Sequence, residues 1–503
     1  MIATPFVSGK PGQAPSRTWR REPHSPLRVE VEPTVTGEES WVDPSQLAAV
    51  LREGRRSGGR CAEVYVEGRA TETIRLDGGS VSEIRSDLDL GAGVRVISDR
   101  GRSGFAYTNV LTTESLLEAA QIAAAASGSA AAREDVPRVD LRERPVQPVQ
   151  WAVLPSTETD AAVTVDMLRA VDDAARSADR AVSGVQGIHV AVTQDVLIAT
   201  SDGALRRDHR VRTRVTCRVT ARRDGRLRTG FAGPGGGCGM ELYEQYPPAT
   251  IGAQAASRAL RALEGGEPPT GPMPVVLGPA GGGLLLHEAC GHGLEGDGLA
   301  RDSSVFAATA GRLVGSPLVT AVDDPTVPRA YGSYGIDDAG TPGQATPLLD
   351  AGVQVGALTD AETAELLGRP PSANARRESY AHPPITRMSN TCIVEGQDDP
   401  AAVLADVRAG VLVVTLRGGD VDIASGEFAF TASEAFVIEN GRVTRPLTGL
   451  TLLGNAQDAL ASVAAVGDDL ALTPALCGKD GQWVPVSYGS PTLLVTGLTV
   501  AGG

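Results

Sequence analysis

The stretch GGGLLLHEACGHGLEGD, residues 281–297, places His287 next to Glu288 and a second histidine, His292, five positions after the first. In the H-E-x-x-H pattern, in which both histidines bind one zinc ion, this gap is four residues. Residues five apart on a regular α-helix point about 140° away from each other, whereas a π-type bulge returns them to one face. Glycines on both sides of His292 favour such a distortion. The spacing therefore predicts a metal site only if the helix is irregular between the two histidines.

A catalytic zinc site uses three protein ligands and leaves a fourth position for water. The two histidines supply two of these ligands, so the third has to come from another residue. Cysteine between the histidines is more simply explained as a small buried hydrophobic residue. The residues alone leave the third ligand open among Cys290, His382, Cys477, Glu295 and Asp297.

Composition limits the classes of function that the chain can have. Its 503 residues are 42% hydrophobic and carry a net charge of −15. This length allows two or three domains with cores of their own. The acidic charge argues against nucleic acid and against an anionic membrane surface as partners. Without an apolar run long enough to span a membrane, and with cysteines scattered rather than paired, the sequence predicts a soluble cytoplasmic protein.

The distribution of residue types predicts an α+β protein in four parts. Residues 1–44 are rich in Pro, Ser, Arg and Glu and are expected to be a disordered tail. Residues 45–145 are predicted to form an N-terminal α/β domain, and a Pro-rich segment follows it. A middle sheet-and-helix region, 146–312, carries the histidine motif, and a β-rich domain is expected over 313–503.

Local patterns predict several individual elements. The segment 61–68 alternates like a half-buried strand, and 112–127 begins with a Thr cap and has a helical pattern. A second helix is expected over 163–182. Alternating segments that end in Asp-Gly turns follow it and predict antiparallel hairpins. A short buried strand over 273–279 is expected to lead into the glycine run and the histidine motif.

Seven longer motifs give the sequence a specific resemblance. Together they are similar to the TldD/PmbA family, and the similarity extends over roughly residues 45–503. The motifs are HEACGHGLEGD (287–297), GIDDAGTPGQ (335–344), NARRESYAH (374–382), RMSNT (387–391), GGDVDIASGEFAF (418–430), SEAFVIENG (433–441) and CGKDGQ (477–482).

The resemblance implies a metal centre with assigned residues. Matched by position, His287, His292 and Cys477 would bind one zinc ion (Zn²⁺) per chain, and Glu288 would be the general base. The implied activity is zinc-dependent hydrolysis of peptide bonds in unfolded or flexible peptides, for maturation or degradation. The alternative is a non-catalytic peptide-binding or scaffolding subunit, similar to the metal-free homologue in the same family.

The resemblance also implies partners. Family members form a heterodimer with a metal-free homologue, so a heterodimer with a closed chamber and an unfolded peptide substrate is expected. Arg377, Tyr380 and His382 are candidates for substrate binding, although Arg377 could equally form a structural ion pair. The acidic net charge predicts that neutral or basic peptides enter faster and that salt weakens this preference.

Overall fold

The structure is a computed structural model that describes residues 41–128 and 135–502. The predicted disordered tail, residues 1–44, lies outside the described residues except for its last four. Among those four, the Asp43 side chain accepts a hydrogen bond from the Ser45 backbone N–H and caps the first helix. The mixed α+β class with a strand-rich C-terminal part is confirmed.

The N-terminal elements are two helices packed on one face of long antiparallel strands. The helix expected over 112–127 is confirmed, and the Thr112 side chain accepts from the Ser115 backbone N–H at its start. The apolar faces of both helices and of the first two strands form one buried core. The elements are α1 (Pro44–Arg56), β1 (Gly59–Asp77), β2 (Ser80–Ser98), β3 (Ser103–Thr108), α2 (Thr113–Ala126) and β4 (Arg142–Glu143).

The next elements extend the same sheet. They are α3 (Ala161–Ser177), β5 (Val182–Thr200), β6 (Ala204–Arg223), β7 (Arg226–Ala232), β8 (Gly235–Gly236), α4 (Leu242–Gln245) and α5 (Pro248–Glu264). The strand order is β3-β2-β1-β5-β6-β4, with β7 and β8 also paired to β6. The helix expected over 163–182 ends earlier, at Ser177, because Val182 already pairs with Ala221 of β6.

The remaining strands form two larger sheets and one small sheet of β13 and β14. In one larger sheet, β16, β9, β23, β19 and β17 form a closed ring; the other larger sheet has the order β12-β11-β10-β15-β22-β21, which leaves β21 at one edge. Among the described helices, none is long and apolar enough to cross a membrane. The elements are β9 (Gly271–Leu277), α6 (Pro279–Leu286), α7 (Gly296–Ala300), β10 (Ala321–Asp323), β11 (Thr346–Asp350), β12 (Val353–Gln354), α8 (Ala361–Leu367), β13 (Ala375–Arg376), β14 (Ile385–Thr386), β15 (Asn390–Ile393), α9 (Pro400–Ala405), β16 (Ala409–Val421), β17 (Glu427–Glu439), β18 (Arg442–Leu447), β19 (Leu450–Asn455), α10 (Ala456–Ala461), β20 (Val463–Val466), β21 (Ala471–Lys479), β22 (Gln482–Ser490) and β23 (Leu493–Gly502).

The glycine run before the histidines has a packing role. A side-chain carbon added at Gly283 would lie 2.6 Å from the Cα atom of Gly489. Only glycine therefore allows α6 to lie directly on β22. This close packing places the C-terminal end of α6, and the histidines that follow it, beside strands β21 and β22.

Candidate metal centre

The backbone leaves the regular α-helix where α6 reaches the first histidine. Residues His287–Gly291 form a π turn, in which the His292 backbone N–H donates to the His287 carbonyl, and a short 3₁₀ turn follows. A π turn closes over five residues, so the two histidines return to one face. The predicted irregularity is confirmed. Gly291 is needed in this turn, because a side-chain carbon there would overlap Sδ of Met388.

Donor atoms of three side chains lie close together beside this turn. Sγ of Cys477, on β21, lies 3.2 Å from Nε2 of His287 and 3.3 Å from Nε2 of His292. All three donor atoms lie within 4.8 Å of one another. His287 and Cys477 are buried, at 3% and 5% exposure. The structure therefore brings together two histidines that lie five residues apart and a cysteine that lies 190 residues after the first of them.

The charge of the cysteine follows from its neighbours. Burial alone raises the pKa of a thiol, but the imidazoles of His287 and His292 outweigh it and lower the pKa of Cys477 to about 4. A thiolate is the form that binds metal ions. Cys477 is therefore prepared to act as an anionic sulfur ligand at neutral pH.

A buried carboxylate holds the outer side of the second histidine. Oε2 of Glu295 lies 2.9 Å from Nδ1 of His292 and 2.8 Å from Nζ of Lys479, which also donates to Asp297 at 2.7 Å. Burial would raise the pKa of Glu295, but His292 and Lys479 outweigh it and lower that pKa to about 2. Glu295 and Asp297 thus bind protein cations rather than join the three donor atoms. Glu295 accepts a hydrogen bond from Nδ1 of His292. This bond orients the ring so that Nε2 points to the thiolate of Cys477.

Glu288 lies at the same centre but faces open space. Its Oε2 is 3.9 Å from Nε2 of His292, and 27% of its side chain is exposed. The carboxylate is thus beside the donor group without being one of its three members. This is the place where a general base can reach a water molecule next to a metal ion.

The other candidate ligands lie elsewhere. Cys290 is completely buried in the core under α6, where burial raises the pKa of its thiol to about 12. His382 has its Nδ1 3.0 Å from Oγ of Ser379. Neither residue contributes an atom to the three-donor group found among the described residues.

The three candidate substrate-binding residues lie outside the cavity described below. The side chain of Arg377 is fully buried, and its Nη2 donates to Oε1 of Glu63 at 2.7 Å. The Tyr380 hydroxyl donates to Oδ1 of Asp89 at 3.1 Å. Of the two alternatives for Arg377, the structure shows the ion pair, and a substrate-binding role for this residue, Tyr380 and His382 stays a prediction.

A cavity of about 1480 Å³ opens over the donor group. Its wall includes His287, Glu288, His292 and the six consecutive residues 473–478 of β21. Successive side chains of a strand point to opposite faces, so six consecutive lining residues mean that the cavity follows the edge of the strand. Sites for small molecules occupy about 300–1000 Å³, so this cavity has room for a longer ligand.

The donor set fits zinc. Zinc binds nitrogen at about 2.0–2.1 Å and thiolate sulfur at about 2.3 Å, so a nitrogen and a sulfur on one ion lie at most about 4.4 Å apart. Both distances from Nε2 to Sγ of Cys477 satisfy this limit. Two imidazoles and one thiolate are ligand types that zinc binds, and three protein ligands are the number with which catalytic zinc sites keep a fourth position open.

Sequence reasoning missed two groups of residues at this centre. Lys479, one of only two lysines in the chain, stands two positions after Cys477 in the motif CGKDGQ. That spacing places its ammonium beside Glu295, and the rarity of lysine was a usable signal. The second group consists of arginines that line the cavity. The sequence pattern that could have revealed them is the alternation of arginines with apolar residues along β6.

Comparison with known proteins defines the class of this chain. Three family models match it: PmbA/TldA metallopeptidase domain 1 over residues 62–127, the central domain over 154–263 and the C-terminal domain over 270–502. The metal-centre residues all fall within the last match. Fold, donor group and matches together define a protein of metallopeptidase type. The chain belongs to the TldD/PmbA family.

Individual relatives support this assignment. The metalloprotease TldD homolog of Haemophilus influenzae is 36% identical over 450 residues, which cover 88% of this chain and 92% of that protein. The zinc metalloprotease TldD homolog of Saccharolobus solfataricus is 30% identical over 262 residues, or 52% of this chain and 58% of that protein. The crystal structure of TldE from Thermococcus kodakarensis superimposes with a TM-score of 0.75 at 18% identity, over 91% of this chain and 100% of that chain, which shows a shared fold.

Proposed function

We propose that this chain is a zinc-dependent peptidase that hydrolyses peptide bonds in unfolded or flexible peptides, in peptide maturation or degradation. The observation that carries the proposal is the convergence of His287, His292 and Cys477 beside Glu288 at the wall of a large cavity. The names of the curated relatives support a peptidase, and one of them names zinc. The chain, whose six cysteines are free, is proposed to act in the reducing environment of the cytoplasm.

One zinc ion per chain would be held by the two Nε2 atoms and by Sγ of Cys477. When bound, zinc lowers the pKa of a coordinated water and polarises the carbonyl oxygen of a substrate. His287 reaches the group from a buried position, and Glu295 fixes the ring of His292. The protein thus supplies ligands that are already oriented.

Glu288 is proposed to move the proton. Its carboxylate accepts a proton from the attacking water and then donates it to the nitrogen of the leaving amine, which completes the cleavage of the peptide bond. Its partial exposure and its position 3.9 Å from Nε2 of His292 support this role, since the proton acceptor has to face the open side of the donor group.

The edge of β21 is proposed to hold the substrate. This strand pairs with β22 on one side and ends the sheet on the other, next to the cavity. An extended peptide can add to such an edge through main-chain hydrogen bonds. Pro474 lies within β21, and proline occurs in sheets essentially on edge strands. A folded domain offers no free extended backbone, so the proposal includes selection of unfolded peptides.

A metal-free TldE-like homologue is the proposed partner, as a heterodimer. Support comes from the family resemblance and from the similarity of the fold to TldE. The test is to measure peptide cleavage by the chain alone and after addition of such a homologue. A rate that is the same with and without the homologue, together with failure of the two chains to co-elute, would contradict the partnership.

The activity itself is tested with Glu288→Gln. The amide cannot accept a proton from water, so cleavage of an unfolded peptide should fall by about 10²–10⁴-fold while the zinc content stays at one ion per chain. Glu118→Gln, an exposed change on α2, is the matched control and should cleave at the parent rate. Zinc binding without cleavage by the parent, with or without the homologue, would instead favour a non-catalytic peptide-binding subunit.

Selection of unfolded peptides is tested separately. One protein is offered in its stable form and as a destabilised variant that differs by a core substitution. Only the destabilised form should be cleaved, since strand addition needs a free backbone. Equal cleavage of both forms would contradict binding at the edge of β21.

A further inference from the structure

The strand β6 has two chemically different faces. Val215, Cys217 and Val219 are buried in the core beneath α3 and α5. Because side chains alternate along a strand, the intervening positions point to the opposite face. That face carries a row of arginines: Arg210, Arg212, Arg214 and, after Thr216, Arg218.

The first two arginines of the row have internal partners. Arg210 is buried and pairs with Asp208 at 2.8 Å and with Asp338 at 2.7 Å. Arg212 is buried and donates to the main-chain carbonyl of Tyr331 at 3.0 Å. These two arginines therefore already bind groups of the protein itself.

The other two arginines of the row face the cavity. Arg214 is half-buried and Arg218 is exposed, and both line the cavity wall. Arg228 of β7 and Arg417 of β16 add two guanidinium groups from other strands. Across residues 41–128 and 135–502, none of these four has a carboxylate within ion-pair distance.

Few negative charges on the wall oppose them. Its carboxylates are Glu267 and the proposed base Glu288. Arg258 also lines the cavity, but Glu434 pairs with it at 2.9 Å. The cavity wall is thus positive although the whole chain is acidic, with a net charge of −15.

The positive wall reaches the metal centre. The ring of Tyr488 lies 5.9 Å from that of His287 and lines the same cavity. Arg214 lines the same cavity as Tyr488 and His287. A peptide that extends from the centre along this cavity would therefore pass guanidinium groups.

We propose that the cavity selects peptides that carry carboxylates near the bond to be cleaved, from Asp or Glu side chains or from the peptide C-terminus. This inference rests on the proposed peptidase function and names its substrate class. Guanidinium groups that have no carboxylate partner among the described residues attract the carboxylates of a ligand and can bind them through two parallel hydrogen bonds. The local charge replaces the expectation, drawn from net charge, that basic peptides enter faster, because net charge does not state where the charges lie.

The experiment measures binding separately from cleavage. Full-length Glu288→Gln protein loaded with zinc is titrated with fluorescent peptides of one sequence that carry two Glu, two Gln or two Lys at the same positions. Each peptide is made with a free and with an amidated C-terminus. The Glu peptide should bind about two- to fivefold more tightly than the Gln peptide per carboxylate at low salt, and the Lys peptide most weakly. The amidated forms separate the contribution of the C-terminus from that of the side chains.

Arginine variants locate the effect. Arg218→Gln and Arg417→Gln should each reduce the preference for the Glu peptide about two- to fivefold and leave binding of the Gln peptide unchanged. Arg222→Gln removes the same charge from the same strand outside the cavity wall and should retain the preference. The preference should also decrease as salt rises from about 0.01 M to 0.15 M, since the screening length falls from about 30 Å to 8 Å.

The outcomes separate this inference from the proposed function. Equal binding of the Glu and Gln peptides at low salt, or tighter binding of the Lys peptide, would overturn the inference even if the parent protein cleaves all three. If the arginine variants bind all three peptides more weakly by the same factor, the inference is also overturned, because the arginines would then have a structural role. A preference for Glu peptides without cleavage by the parent, with or without the homologue, would support the selection and refute the peptidase.

Discussion

Lys479 offers a test of how the metal centre is supported. Its ammonium donates to Glu295, Asp297 and the main-chain carbonyl of Thr386, at 2.8, 2.7 and 3.2 Å. All three of its N–H groups therefore have an acceptor. The side chains of Lys479 and Glu295 are only 17% and 2% exposed. We predict that Lys479→Met lowers both the free energy of unfolding and the affinity for zinc.

The size of the effect follows from this burial. Removal of one partner of a buried ion pair costs about 3–5 kcal/mol, because the remaining charge stays buried without compensation. Asp297 is 20% exposed and can regain some water, so we expect the lower end, about 3 kcal/mol. Loss of Lys479 also removes one hydrogen-bond donor from Glu295, the carboxylate that orients His292. Comparable changes around metal ligands weaken metal binding by about 10–100-fold.

Two measurements check the prediction. Denaturant unfolding of the metal-free protein gives the change in stability, and competition with a chelator gives the affinity for zinc. Arg312→Met, an exposed loss of one positive charge, should stay within about 0.5 kcal/mol of the parent. A change in stability below about 1 kcal/mol for Lys479→Met would refute the argument from burial. An unchanged zinc affinity would refute the orienting role of Glu295.

Three other changes have defined outcomes. Cys477→Ala should remove the thiolate ligand and lower the affinity for zinc, measured by chelator competition; an affinity equal to the parent would place the third ligand elsewhere. Gly291→Val should destabilise the protein by about 1–3 kcal/mol and weaken zinc binding, because its side chain overlaps Met388; the added change Met388→Ala should recover part of the melting temperature, and no recovery would contradict the overlap. His189 is buried beside Tyr243, and burial lowers its pKa to about 4, below the usual value of about 6.5. The unfolded state therefore binds more protons between these two pH values, and the free energy of unfolding should fall by about 3 kcal/mol from pH 7 to pH 4. Denaturant titrations of His189→Gln at both pH values should lack this part of the decrease, and an unchanged pH dependence would count against it.

Local sequence patterns predicted those features that depend on neighbouring residues. The Thr cap and helical pattern predicted the start of α2, and the alternation over 61–68 predicted a strand that lies within β1. The five-residue spacing required an irregular helix, and a π turn lies there. The end of α3 was placed too late, because its last turn competes with pairing between β5 and β6, and a local pattern does not contain that pairing.

The assembly of the metal centre could not come from local patterns. Cys477 lies 190 residues after His287, and five residues qualified as the third ligand by chemistry alone. The family resemblance singled out the cysteine. The structure then shows the reason for its place: α6 packs on β22, and β21 runs beside β22 with its cysteine directed at the two rings. Glycines that permit this packing were visible in the sequence, but their partner strand was not.

The arginines of β6 show why the charge of the cavity escaped prediction although its residues were visible. Alternation assigns Arg214 and Arg218 to the face opposite Val215 and Cys217, and the sequence alone contains that information. The sequence does not state which arginines meet a carboxylate from another sheet. Arg210 forms an ion pair with Asp338, 128 residues further along the chain, whereas Arg218 lines the cavity. Two arginines on one face of one strand thus have opposite roles, the first as an internal ion pair and the second as a charge available to a substrate. A net charge of −15 averages over this difference, so the charge that a substrate encounters has to be read from the residues that line the cavity.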